Sequence, residues 1–136
     1  MTDHEHLTAL AERCEAATGP DRELEGEIYR AVEEPGWDNP QPSEEVKASY
    51  CRGVAGVYTA SIDAAMTLVP KGLEWTLDCL DAARDPRFGK CQARIMLMAY
   101  ADDPKELGPQ AIANGDTPAL ALCAAALRAR AEEQQP

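Results

Sequence analysis

The segment Leu73-Glu74-Trp75-Thr76-Leu77-Asp78-Cys79 decides the fold class, because its apolar and polar residues alternate. A period of two with one polar face is typical of a half-buried β-strand. The alternation returns in the run CQARIMLMAY at 91–100, after a polar loop that contains Pro86 and Gly89. We therefore predict antiparallel strands at about 73–80 and 90–100, with a third candidate strand at 110–113.

Helical periodicity surrounds these strands. Apolar residues recur every three or four positions over 4–17, over 21–34, over 60–69 and over 117–131. Gly19-Pro20 separates the first two segments, which predicts an N-terminal helical hairpin. A small antiparallel sheet needs its apolar face covered, and we expect the last two helices to cover it. The predicted fold class is α+β.

A chain of 136 residues is expected to form one domain. We divide it into an acidic helical hairpin at 1–34, a loop region at 35–57, and the sheet with its covering helices at 58–136. Three prolines, Gly53 and Gly56 favour irregular structure in the loop region. A poor helix is the alternative there, given the spacing of Val46, Tyr50, Val54 and Val57.

Negative charge is concentrated near the N-terminus. Of the net charge of −11, residues 1–50 contribute 13 acids and 4 bases, whereas residues 51–136 contribute 11 acids and 9 bases. An acidic surface repels nucleic acid, attracts basic proteins and can imitate the phosphates of DNA. We predict a partner-binding acidic surface, with a merely solvated helix face as the alternative. Its residues are Glu23, Glu27, Glu33, Glu34, Asp38, Glu44 and Glu45.

The one local basic cluster consists of Arg84, Arg87 and Lys90. These residues lie in or beside the loop between the first two predicted strands. Such a cluster could bind a small anionic ligand or a nucleotide, and pairing with nearby acids is the structural alternative. A small-ligand site at this loop is therefore our second functional hypothesis.

No pattern in the chain indicates catalysis. The only histidines, His4 and His6, lie in the polar N-terminal segment, where we expect a frayed terminus. The remaining chain then offers no histidine for a nucleophilic triad or dyad. We expect neither an enzyme nor a resident metal or cofactor.

The cysteines form no CxxC pair and predict neither a zinc site nor a disulfide framework. They are interpreted as small apolar core residues of a protein in a reducing compartment. Because the N-terminal segment is polar and no apolar run approaches about 20 residues, we expect a cytoplasmic protein. The cysteines are Cys14, Cys51, Cys79, Cys91 and Cys123.

Three segments, AATGPDREL at 16–24, YTASIDAAMTLVP at 58–70 and TPALALCAAALRAR at 117–130, resemble the phage ABA-sandwich family of small phage and prophage proteins. The resemblance spans about residues 7–131 and rests on helix caps and core stripes. It implies a layered α-β-α scaffold without catalytic residues. It also implies a phage-type protein that binds and sequesters a host factor, such as a nucleic-acid-binding defence protein. Residues 34–57 and the loop at 84–90 depart from the family pattern, so specificity would lie there.

Overall fold

The computed structural model describes residues 3–70, 73–79, 91–96 and 111–133. Within these ranges the chain is mainly helical with a small β component, which agrees with the α+β class in its coarse form. The elements in chain order are α1 (Asp3–Ala16), α2 (Arg22–Glu33), α3 (Glu44–Val54), α4 (Ile62–Met66), β1 (Glu74–Cys79), β2 (Cys91–Met96), β3 (Ala111–Gly115) and α5 (Pro118–Glu133).

The three strands pair antiparallel in the order β1-β2-β3. In the register, Leu77 lies opposite Ala93 and Ala93 lies opposite Ala113. Ala113 is buried whereas Ile112 is exposed, so β3 alternates between the core and the surface. β3 extends through Asn114 and Gly115, two residues beyond the predicted strand at 110–113.

Helix α5 is the centre of the core. Its sequence is rich in Ala and Leu, and every residue from Ala119 to Leu127 is buried. A helix that is apolar all round belongs inside a protein, and here α5 contacts all three strands, α1 and α4. The stripe that we predicted on this helix is therefore only part of its buried surface.

The two helices of the predicted N-terminal hairpin touch, and Arg13 of α1 pairs with Glu27 of α2. Each has a larger contact elsewhere, because α1 packs mainly on α5 and α2 mainly on α3. The buried face of α1 carries Leu7, Leu10, Ala11 and Cys14. The apolar face of α1 is therefore buried against the core helix α5, and α2 forms a second packing unit with α3.

Helix α4 does not have the predicted role of covering the sheet, because its packing partner is α5. Ser61 caps it by accepting a hydrogen bond from Ala64 N. Just beyond it, Arg130 Nε of α5 donates to Leu68 O at 2.6 Å. The segment that follows α4 is therefore tied to the core helix.

The predicted loop region at 35–57 contains α3, a helix of 11 residues. Ser43 caps it by accepting from Val46 N, and Glu44 and Glu45 lie in the first turn, at the positive end of the helix dipole. All three prolines of this region precede the Ser43 cap, so none of them lies inside the helix. The helix alternative for this region is the correct one.

Gly26 allows α2 and α3 to approach closely. A Cβ atom at Gly26 would lie 2.7 Å from Arg52 Cγ and 3.0 Å from Arg52 Cα. The backbone of Arg52 could not yield without moving α3. Gly26 therefore lowers the helix propensity of α2 but sets the short distance between α2 and α3.

We predict that Gly26→Ala lowers the free energy of unfolding by about 1–2 kcal/mol, because overpacking outweighs the gain in helix propensity. Gly53→Ala is the matched control in α3, since nothing lies within 4 Å of its added Cβ. It should raise stability by about 0.5–1 kcal/mol. Urea unfolding followed by circular dichroism measures both. Equal stabilisation by the two changes would contradict the close approach.

Candidate protein-interaction surface

The apolar stripe of α3 faces solvent. Val46, Tyr50 and Val54 are 54%, 50% and 45% exposed, whereas Lys47 and Cys51 on the neighbouring face are buried. Residues spaced four apart advance by about 40° around a helix, so the three stripe residues lie within about 80°. A short helix normally buries such a stripe. We call Val46, Tyr50 and Val54 the α3 stripe.

Trp37 extends the α3 stripe beyond the helix. Its ring meets that of Tyr50 edge to face, with centroids 5.6 Å apart. Lys47 Nζ lies 5.8 Å from the centroid of the Trp37 ring, in a cation–π contact. Gln41 Oε1 accepts from the same ammonium group at 3.0 Å. These contacts hold the indole in place at one edge of the stripe.

Aromatic residues are concentrated in this part of the chain. The sequence has only seven, and Tyr29, Trp37, Tyr50 and Tyr58 are four of them. Burial raises the pKa of Tyr29, and the nearby charges of Tyr50 and Glu33 raise it further. Trp and Tyr are the side chains most enriched at the energetic centres of protein interfaces.

The predicted acidic residues fall into two groups. Glu27 pairs with Arg13, and Glu44 pairs with Arg30 at 2.9 Å and with Lys47 at 3.4 Å. The Arg30 guanidinium lowers the pKa of Glu44 below its usual range. No such ion pair is found within the described residues for the other five predicted acids, which are all exposed. They are Glu23, Glu33, Glu34, Asp38 and Glu45.

Glu34 ends α2 in the left-handed conformation, with φ of 45°. Its N–H donates to Arg30 O at 3.1 Å, which closes the last turn. Glycine is the usual residue at this position, because a side chain costs free energy there. A glutamate in this place puts a negative charge at the start of the segment that leads to Trp37.

A buried carboxylate connects α2 to the segment that follows α3. Glu25 is 3% exposed, and its Oε2 accepts from Thr59 N at 2.9 Å and from Thr59 Oγ1 at 2.7 Å. Arg22 Nη1 donates to Oε1 at 3.1 Å, and also to Gly56 O at 3.3 Å. Thr59 Oγ1 in turn accepts from Asp21 N at 2.8 Å. We call these four residue positions, 21, 22, 25 and 59, the Glu25 network.

The other predicted sites have different outcomes. Arg84, Arg87 and Lys90 lie outside the described residues, so the anion site stays a prediction. His4 does not belong to a frayed end, because α1 begins at Asp3 and His4 Nδ1 lies 2.9 Å from Ala131 O. No cluster of three potential metal ligands occurs in the described part of the chain.

The cysteines for which side chains are described, Cys14, Cys51 and Cys123, are free and buried. Cys123 Sγ donates to Tyr58 O at 3.0 Å. Cys14 and burial both raise the pKa of Cys123. These three therefore have the core role that the sequence indicated. None of the described helices is both long and apolar enough to cross a membrane.

The acidic surface predicted from the sequence stays a prediction, and the exposure of the α3 stripe was not predicted. The spacing of Val46, Tyr50 and Val54 was visible, and Ser43 followed by two glutamates is a helix-start signal. Which face of a short helix is buried depends on its neighbours, and the neighbour here is α2 at Gly26. That contact cannot be read from local periodicity.

No family model, no curated protein and no solved structure matches the chain. The resemblance to phage ABA-sandwich proteins therefore stays an expectation.

We predict that Thr59→Val lowers the free energy of unfolding by about 2–3 kcal/mol, because the buried Glu25 carboxylate loses a hydrogen bond and Asp21 N loses its acceptor. Thr67→Val is the control, since Thr67 is exposed and its hydroxyl donates to Ala64 O in its own turn. Its effect should stay within about 0.5 kcal/mol. Urea unfolding of both variants provides the comparison. Similar losses would show that the Glu25 network adds nothing to stability.

Proposed function

We propose that the protein is a non-catalytic binding domain that sequesters a protein partner through the α3 stripe and the acidic residues around it. The observation that supports this is the orientation of α3, which exposes three large apolar side chains and buries a lysine and a cysteine. Exposing such a stripe is unfavourable in water by about 25 cal/mol for each Å². A partner that covered it would recover that free energy.

The acidic residues contribute a second element. Residues 22–55 carry eight acids and four bases, so the unit formed by α2 and α3 is itself negative. An apolar centre with a charged rim is the usual organisation of a protein interface. The net negative charge of this unit favours partners with basic surfaces and accelerates their association. On the resemblance to phage proteins, the partner would be a host nucleic-acid-binding factor.

The experiment is an affinity capture from a lysate of the source cells, with two double variants. Val46→Ser with Val54→Ser disrupts the α3 stripe. Met66→Ser with Ile112→Ser is the matched control, because these side chains are 43% and 46% exposed but lie on α4 and β3. Quantitative mass spectrometry compares the proteins that each form retains.

We expect at least one protein to be retained by the unchanged chain and by the control, and to be reduced at least tenfold with the α3 stripe variant. A tenfold loss corresponds to about 1.4 kcal/mol of binding free energy. Washing at high salt should release part of it, because surface charge pairing is screened. Identical captures by the stripe variant and the unchanged chain would contradict the proposal.

A further inference from the structure

We draw no further inference here: the strongest candidate, the pair of core thiols that Cys14 of α1 and Cys123 of α5 contribute, rests only on the raised pKa of Cys123, and both side chains are fully buried.

Discussion

The buried carboxylate of Glu25 is the interaction on which the arrangement of α2, α3 and α4 depends. A buried charge is costly unless it is fully hydrogen-bonded, and this one accepts from the backbone and hydroxyl of Thr59 and from Arg22. Because Thr59 lies between α3 and α4, these bonds fix where the chain leaves α3. Arg22 reaches Gly56 as well, so the exit of α3 is held at two points.

With its exit fixed, α3 can meet α2 only through a face of small or semi-polar residues. Gly26 leaves room for the backbone of Arg52, and Arg30 pairs with Glu44 at the other end of the contact between α2 and α3. The α3 stripe is then turned to solvent, which a helix selected only for stability would avoid. Stability and exposure are thus linked, because the contacts that hold α3 in place are those that keep its apolar residues uncovered.

The sequence predicted elements better than their packing. The alternation of residues 73–79 predicted β1, and the apolar pattern after Pro118 predicted α5. Both predictions depend only on local periodicity. The main packing partners of α1 and α2 were not predicted, because an apolar stripe does not say which partner buries it, and α1 packs mainly on α5. In the site, the acids were visible but the pairing of Glu44 with Arg30 and the exposure of Tyr50 depend on contacts between elements.

The central claim is that the exposed face of α3 contacts a protein partner in the cell. Site-specific photo-crosslinking tests it most directly, with benzoyl-phenylalanine in place of Tyr50 and, as a control, in place of Ile112. Both positions are about half exposed and apolar, but they lie on α3 and β3. The account predicts a discrete covalent adduct from position 50 that is absent from position 112. No adduct from position 50, or the same adducts from both positions, would contradict it.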